Sequence, residues 1–448
     1  MTRSELLANL PPVPADDLLP TIREALESSE RTIVVLDDDP TGTQTVFDVP
    51  VLTSLDADSI RDAIDEAPPV LYLLTNSRAL TVAETTELHQ NIGKTLKEFD
   101  DEIIVISRSD STLRGHFPLE TNLLREALEI PEAPTLFVPF FEAGGRLTVN
   151  DTHYVIVGET ATPAHLTPFA NDNSFPFSHS FLPDYIAEKS GAKIDVQSIS
   201  LQDLRTGNVA DKLADLPDSS YCIVNATLLR DLDSLSLALH QSERRFIIRS
   251  AASFVQSLGG ITSRPPLEPW QMEDLEPNPN GGLIVVGSHV PKTTGQLNHL
   301  LSNSDTVPFE IDVPAILSST FDIPNLALEI QTTMTSGKTA VLFTSRERID
   351  GNDNLAIAKA VSQTLVSIVS TIRARPRFII AKGGITSSDI ATDALGVKQA
   401  MVLGQILPGV PVWTIGSETL HPGLAYVIFP GNVGEEDALT QAYQKLTS

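Results

Sequence analysis

The chain has 448 residues and a formal net charge of -27, with 31 Lys and Arg against 58 Asp and Glu. A field of that sign repels phosphate backbones and anionic membrane surfaces, so we expect neither nucleic acid nor a membrane as a partner. The length exceeds what one hydrophobic core usually organises, which favours two domains. The single cysteine, Cys222, excludes internal disulfides and multi-cysteine zinc sites and favours a cytoplasmic location.

Short apolar or β-branched runs alternate with segments of helical periodicity, which predicts an α/β protein. After an N-terminal helical extension at 1–30, strands are predicted at 32–36, 70–74, 103–106, 135–138, 222–224, 246–248, 283–286, 340–343, 378–380, 411–414 and 425–429. A proline-rich, acidic stretch at 263–282 is the predicted linker between domains at 31–262 and 283–448. We expect each domain to be a mostly parallel sheet sandwiched by helices, with the active site in the interdomain cleft.

Three aspartates follow the first predicted strand directly. Asp37, Asp38 and Asp39 lead into the turn formed by Pro40, Thr41 and Gly42. Carboxylates in a row just past a buried strand are costly unless a cation, a hydroxyl or a polar ligand needs them. This turn is therefore predicted to form the edge of an active site.

Arginines follow three other predicted strands. Arg78 comes after the second strand, Arg114 with Asp110 after the third, and Arg146 after the fourth. Ligands of open α/β sheets bind beyond the carboxyl ends of the strands. A guanidinium can grip a carboxylate with two parallel hydrogen bonds, while an aspartate can accept from a sugar hydroxyl or deprotonate it. The pattern predicts a pocket for a small anionic polyol; the alternative is that each arginine closes a surface ion pair and each aspartate starts a turn.

Glycine-bearing turns follow three predicted strands of the second half. They are Gly287-Ser288, Lys382-Gly383-Gly384-Ile385-Thr386 and Pro430-Gly431-Asn432. Glycines let the backbone approach a ligand closely, and the free N–H groups of a following helix bind phosphate, so these turns predict a nucleotide site. The alternative is that Ser387 or Ser388 only caps a helix. The histidines show no paired metal-ligand spacing, so no transition metal is assigned.

Taken in chain order, these motifs resemble those of the four-carbon acid sugar kinase family over nearly the whole chain. The matching segments are Asp38-Asp39-Pro40-Thr41-Gly42, 75–78, Asp110-Ser111-Thr112-Leu113-Arg114-Gly115, Gly144-Gly145-Arg146, 167–172, Ser288 with Thr293 and Gln296, Gly383-Gly384-Ile385-Thr386, 408–411 and 431–434. The segment at 110–115 is the most specific single element, and the ordered set is stronger still. Asp37, Pro40 and Lys382 depart from the family pattern.

The resemblance implies a substrate-binding N-terminal domain and an ATP-binding C-terminal domain. It implies phosphorylation of the terminal hydroxyl of a four-carbon sugar acid such as threonate, erythronate or 3-oxo-tetronate. Catalytic roles would go to Asp38, Asp39, Asp110 and Arg114, and substrate contacts to Thr41, Gly42, Arg78, Ser111, Thr112, Gly144 and Arg146. ATP, with Mg2+ held through its phosphates, would contact Ser288, Gly383, Gly384, Thr386 and Gly431. We also predict ATP contacts at Lys382, Ile385, Gly404 and Asn432, which lie in or near the glycine-bearing turns or elsewhere in the second half of the chain. The oligomeric state considered for this chain is a homodimer.

In the expected mechanism, Asp39 or Asp38 accepts the proton of the attacking hydroxyl, and Asp110 is the competing base. Arg114 would stabilise the charge that develops during phosphoryl transfer. Two alternatives stay open at this point. One is an ATP-independent isomerase or aldolase for sugar acids that uses the same aspartates; the other is a non-catalytic ligand-binding or effector protein with a vestigial kinase site.

Overall fold

The computed structural model describes residues 1–272, 278–318, 320–346 and 354–448. These residues form two compact units, Met1–Ser263 and Arg264–Ser448. Part of the predicted linker, 273–277, lies outside the described residues. Among the described residues, none of the helices combines the length and the apolar character needed to cross a membrane.

The first unit contains a large sheet, a small sheet and the helices that cover them. Its strands are β1 Thr32–Asp37, β2 Val49–Leu52, β3 Val70–Leu74, β4 Ile103–Arg108, β5 Thr135–Val138, β6 Arg146–Val149, β7 Thr152–Val157, β8 Thr160–Pro163, β9 Val196–Ile199, β10 Tyr221–Val224 and β11 Ile247–Ser250. Its helices are α1 Arg3–Leu7, α2 Leu19–Ser29, α3 Ala57–Asp65, α4 Val82–Leu96, α5 Leu119–Ala127, α6 Leu182–Ser190, α7 Leu201–Thr206, α8 Val209–Ala214, α9 Asp233–Gln241 and α10 Ala252–Leu258.

The large sheet of the first unit is parallel throughout, in the order β2-β3-β1-β4-β11-β5-β10-β9. Strands β1, β3 and β5 are buried along their whole length, as expected for parallel strands covered on both faces. Leu36 lies opposite Leu73 of β3 and Ser107 of β4. The residues that follow these strands therefore emerge together at one edge. Strands β6, β7 and β8 form the separate, antiparallel sheet.

The second unit contains one mixed sheet. Its strands are β12 Leu283–Val286, β13 Val307–Ile311, β14 Ala340–Thr344, β15 Ile379–Lys382, β16 Gln399–Leu407, β17 Val410–Ile415 and β18 Ala425–Phe429, and its helices are α11 Pro291–Ser302, α12 Val313–Leu317, α13 Ile323–Thr335, α14 Asn354–Thr371, α15 Gly384–Asp389 and α16 Ala438–Thr447. The strand order is β13-β14-β12-β15-β18-β17-β16. The first five strands run parallel, whereas β17 and β16 are antiparallel to their neighbours.

The predicted α/β class is confirmed, and each predicted strand is present with ends shifted by at most two residues. The strands β2, β6, β7, β8, β9, β13 and β16 were not predicted. Most of them are short or expose alternate residues, so they lack the continuous apolar run that marked the buried strands. The predicted domain boundaries and the interdomain position of the site stay predictions.

Candidate functional site

Asp38 and Arg78 form an ion pair with two hydrogen bonds at the strand ends of the first unit. The Nε and Nη2 atoms of Arg78 donate to the two carboxylate oxygens of Asp38 at 3.2 and 2.5 Å, and the Ser109 hydroxyl donates at 2.5 Å. Burial alone would raise the pKa of Asp38, but Arg78, supported by Arg108 and Arg249, lowers it. Asp38 is therefore an ionised carboxylate held in one orientation.

Asp37 is as deeply buried as Asp38, with 1 % of its surface exposed. Arg108 donates to Oδ1 at 2.7 Å, while the buried Oδ2 has no hydrogen-bond partner among the described residues. Burial raises the pKa of Asp37 to about 7, because the attraction of Arg108 offsets it only in part. A side chain at Gly42 would place its Cβ 1.9 Å from Oδ2, so this turn needs glycine for space.

Asp39 is the most accessible of the three, with 20 % of its side chain exposed. Its Oδ1 accepts hydrogen bonds from the backbone N–H and the hydroxyl of Thr41, at 2.8 and 2.5 Å. Its Oδ2 lies 3.6 Å from Nη1 of Arg78 and has no closer described partner. Asp39 therefore has one carboxylate oxygen that is fixed by the turn and one that is available to a ligand.

Asp110 and Arg114 form a second ion pair, after β4. The Nε of Arg114 donates to Asp110 at 2.8 Å, Thr112 donates its hydroxyl to the same oxygen, and Nη1 of Arg114 lies 3.4 Å from Asp172. Burial would raise the pKa of Asp110, but Arg114 and Arg78 hold it well below its usual range. Asp110 is therefore ionised and a weak proton acceptor.

The buried His153 forms a hydrogen bond with the backbone of this 110–115 loop. Its Nε2 lies 2.8 Å from the Ser111 carbonyl, and its Nδ1 lies 3.0 Å from the Thr148 hydroxyl. Burial lowers the pKa of His153 to about 4, so the ring is neutral, with Nε2 donating and Nδ1 accepting. Tyr185 donates at 2.7 Å to the carbonyl of Leu113, whose φ of +72° is unusual for leucine. These contacts fix a loop that is costly to form on its own.

Arg146 differs from the other two predicted arginines. Its guanidinium carbon lies 5.6 Å from the ring centre of Phe169, and that of Arg114 lies 5.1 Å from the same ring. One nitrogen of Arg146 donates to the Gly144 carbonyl, its Nε is buried without a partner, and it forms no ion pair with a carboxylate of the described residues. Burial lowers the pKa of Arg146. Of the three predicted arginines, Arg146 is therefore the one whose charge is not already paired with a carboxylate of the described residues.

The structure adds residues that were not predicted. Arg108 pairs with Asp37, and the buried Arg249, at the end of β11, donates to the Arg114 carbonyl at 3.1 Å. Arg108 lies two residues beyond a predicted strand end and Arg249 one residue beyond another. Both strands are longer than predicted, so both arginines lie within the strands and near their carboxyl ends. Phe169 lies in the matching segment 167–172 and Ser109 just after the third predicted strand, but neither was assigned a role from the sequence.

Three turns of the second unit also come together, because β12, β15 and β18 are neighbours in the sheet. The N–H of Ser288 donates to the carbonyl of Lys382 at 3.3 Å, and Thr293 donates its hydroxyl to the carbonyl of Gly431 at 2.9 Å. A Cβ at Gly431 would lie 2.9 Å from the Ser288 hydroxyl. The turns are packed as closely as glycine allows.

The remaining predicted nucleotide contacts are dispersed around these turns. Gly383 has a φ of +116°, Gly384 begins the short helix α15, Thr386 is buried beside Gly287, and Ile385 is 62 % exposed. Asn432 is exposed. Gly404 is separate from this group: it lies within β16, at a bulge, and packs against Leu267.

Arg346, which follows β14, was not predicted. Its Nη1 donates to the Ser288 carbonyl at 2.8 Å, and its Nε donates to the Thr344 carbonyl at 3.0 Å. It therefore fixes the first of the glycine-bearing turns from the neighbouring strand. Among the described residues no group of three histidine, cysteine, aspartate or glutamate side chains could hold a metal ion.

Two family models match the chain. Residues 33–258 match a sugar-binding N-terminal domain, and residues 283–439 match a nucleotide-binding C-terminal domain. The first match contains the Asp38–Arg78 and Asp110–Arg114 pairs, and the second contains the three packed turns. No match was found among curated protein sequences.

Two solved structures share the fold over most of their length. A Salmonella typhimurium LT2 protein provisionally described as a tRNA synthase is 16 % identical, with a TM-score of 0.67, over 92 % of this chain and 98 % of its own. A Haemophilus influenzae protein of family DUF1537 is 17 % identical, with a TM-score of 0.64, over 92 % of this chain and 100 % of its own. At this identity the similarity establishes the fold alone.

Proposed function

Because this chain belongs to the four-carbon acid sugar kinase family, we propose that it is an ATP-dependent kinase that phosphorylates the terminal hydroxyl of a four-carbon sugar acid. The substrate is of the threonate, erythronate or 3-oxo-tetronate type. The first unit binds the sugar acid and the second binds ATP. A cytoplasmic location and a homodimer remain predictions, to be checked by cell fractionation and by sedimentation.

The observation that carries this proposal is the unequal pairing of the three predicted arginines. Arg78 is neutralised by Asp38 and Arg114 by Asp110, but Arg146 has no carboxylate partner among the described residues. A half-buried guanidinium without a counter-charge favours an anionic ligand. The substrate's carboxylate would bind Arg146, and the substrate's hydroxyls would then contact the aspartates.

Asp39 is the proposed general base. The carboxylate oxygens of Asp38 are held by Arg78 and Ser109, and the pKa of Asp110 lies well below its usual range. Both are therefore weak proton acceptors, whereas Asp39 has an oxygen without a close described partner. Asp38 orients Arg78, and Arg114 stabilises negative charge on the transferred group.

Mg2+ would be held by the phosphates, since no protein group is assigned to it, and would neutralise the charge that develops between the β- and γ-phosphates. The backbone N–H groups of the turns at Ser288, Gly383 and Gly431 would bind the nucleotide phosphates. Apart from the proposed general base, Asp39, the chain's own contribution is positioning and charge complementarity. Phosphoryl transfer needs little else from a protein.

A coupled assay of ADP release over a panel of four-carbon sugar acids tests the proposal, with nucleotide binding measured in parallel. We expect acid-dependent ADP release with at least one stereoisomer and little release with the corresponding uncharged polyol. Sugar-acid conversion without ATP would instead establish the isomerase or aldolase. Nucleotide binding without turnover on any acid of the panel would favour the non-catalytic binding protein.

A further inference from the structure

Lys382 is a fully buried lysine at the end of β15, within the packed turns of the second unit. Its Nζ donates to the carbonyl of Pro430 at 2.7 Å and lies 4.0 Å from the ring centre of Phe429. Pro430 immediately precedes Gly431, which contacts Ser288. The amine therefore lies directly behind the turn that follows β18.

No carboxylate of the described residues forms an ion pair with Lys382. Another cation, the exposed Lys292 of α11, disfavours the charged form of Lys382, and the Nζ of Lys292 donates to the Gly434 carbonyl at 3.1 Å. The one acidic residue of α15, Asp389, accepts a hydrogen bond from Ser362 of α14 instead. A carbonyl and an aromatic face offset only part of the cost of burying an ammonium group.

A buried amine without a counter-ion has two stable states: neutral, or charged beside an anion brought by a ligand. Burial, with a smaller contribution from Lys292, lowers the pKa of Lys382 to about 7. Near neutral pH the empty protein therefore contains both forms of the amine. A phosphate group at the adjacent turns would favour the charged form, as an opposite charge nearby raises the pKa of a lysine.

We propose that Lys382 is a proton-linked counter-charge for the nucleotide phosphates. Its neutral amine takes up one proton from solvent when the nucleotide anion binds and releases that proton when the nucleotide leaves. Its hydrogen bond to Pro430 also keeps the Gly431 turn in place, so Lys382 acts as a positioning residue. This inference rests on the proposed function, because it requires a nucleotide at these turns.

The test is calorimetric titration of the full chain with ADP between pH 7.5 and 9, in two buffers of different ionisation enthalpy. A phosphate monoester has its second pKa at about 6, so the ligand is already ionised in this range. We expect net uptake of up to one proton per bound ADP, and about tenfold weaker binding for each unit of pH where uptake is complete. The wild-type chain suffices for this measurement, whether or not variants fold.

Two variants test whether Lys382 is the group that takes up the proton. Lys382→Met should abolish the proton uptake and flatten the pH dependence of ADP affinity, whereas Lys338→Met should leave both unchanged. Lys338 is exposed and precedes β14, at the opposite edge of the sheet from the turns. ADP binding without proton uptake in the wild type would overturn the inference alone. Absence of nucleotide binding at every pH would overturn the proposed function with it.

Discussion

The guanidinium of Arg108 donates to the carboxylate of Asp37 at 2.7 Å, and both side chains are buried at the end of neighbouring strands. The pair is incomplete, because Oδ2 of Asp37 has no hydrogen-bond partner among the described residues and packs against Gly42. Arg108 therefore supplies the one hydrogen-bonded positive charge beside Asp37, while Asp38 and Asp39 place two further negative charges nearby. The raised pKa of Asp37 follows mainly from burial and secondly from these like charges.

Asp37→Asn should remove a pH-dependent loss of stability. The pKa of Asp37 is raised in the folded state from 3.8 to about 7, so the folded chain binds a proton that the unfolded chain lacks. This carboxyl contributes stability at low pH that is lost as pH rises from about 4 to 7, by up to about 4 kcal/mol. The stability of Asp37→Asn relative to wild type should therefore increase over that range, whatever its absolute value.

Hydrogen exchange of peptides from β1 and β4 is the appropriate measurement. Both tryptophans, Trp270 and Trp413, belong to the second unit, so tryptophan fluorescence would not report on the first. The conservative Asp58→Asn variant, at an exposed position, serves as the control. A difference from wild type that does not change with pH would contradict the raised pKa.

His153→Gln should change the pH dependence in the opposite direction. The pKa of His153 is lowered by burial from 6.5 to about 4, so between these values the unfolded chain binds the proton that the folded chain excludes. Its contribution to stability is present above pH 6.5 and is lost as pH falls toward 4, by up to about 3 kcal/mol. In wild type this loss opposes the effect of Asp37. The variant should therefore become relatively more stable as pH falls, again by hydrogen exchange; an unchanged pH profile would count against a neutral buried ring.

Gly42→Ala should destabilise the first unit by about 3 kcal/mol, a cost typical of forcing atoms into a packed interior. The added Cβ would lie 1.9 Å from Asp37 Oδ2 and 2.4 Å from its Cγ, and Asp37 cannot withdraw without losing Arg108. Gly158→Ala is the matched control in the same unit. Gly158 has a φ of +57° but no atom within 4 Å of its Cβ position, so only about 1 kcal/mol of backbone strain is expected. Equal costs in thermal unfolding would mean that the close contact does not matter.

Arg146→Gln should reduce kcat/KM for the sugar acid about 100-fold, because it removes the charge proposed to bind the substrate carboxylate. Nucleotide affinity should stay unchanged, since Arg146 belongs to the first unit. Arg61→Gln, which removes a surface arginine paired with Glu98, is the control. Steady-state kinetics with the best acid of the panel provides the measurement. Retention of full kcat/KM would assign the carboxylate to another residue, with Arg249 the first to examine.

Asp39→Asn should lower kcat by about 100-fold to 10,000-fold with a smaller change in KM, as expected for loss of a general base. The amide can still accept the Thr41 hydrogen bonds at Oδ1, so the turn should persist. Circular dichroism and ADP binding check that the fold and the nucleotide site are intact. If the Asp39→Asn variant is active and the Asp110→Asn variant is inactive, the general base is Asp110 and not Asp39.

Much of the fold could be predicted from the sequence. The long apolar runs of β1, β3 and β12 are local signals, and a parallel strand buried on both faces needs little else to be recognised. Strands such as β13 and β16 expose alternate residues, and what stabilises them is pairing with a neighbour that is distant in sequence. That pairing is invisible to a local pattern.

The sequence by itself determined which chemical groups stand at the strand ends: aspartates after β1, arginines after β3 and β4, and glycines after β12 and β18. Only the tertiary structure decided what each group can do. Ionic state depends on burial and on the nearest counter-charge, which comes from a neighbouring strand for Asp37 and Arg78 and from Asp110 of the same loop for Arg114. Arg78 and Arg114 are therefore neutralised while Arg146 is not, and Asp37 has a raised pKa while Asp110 has a lowered one.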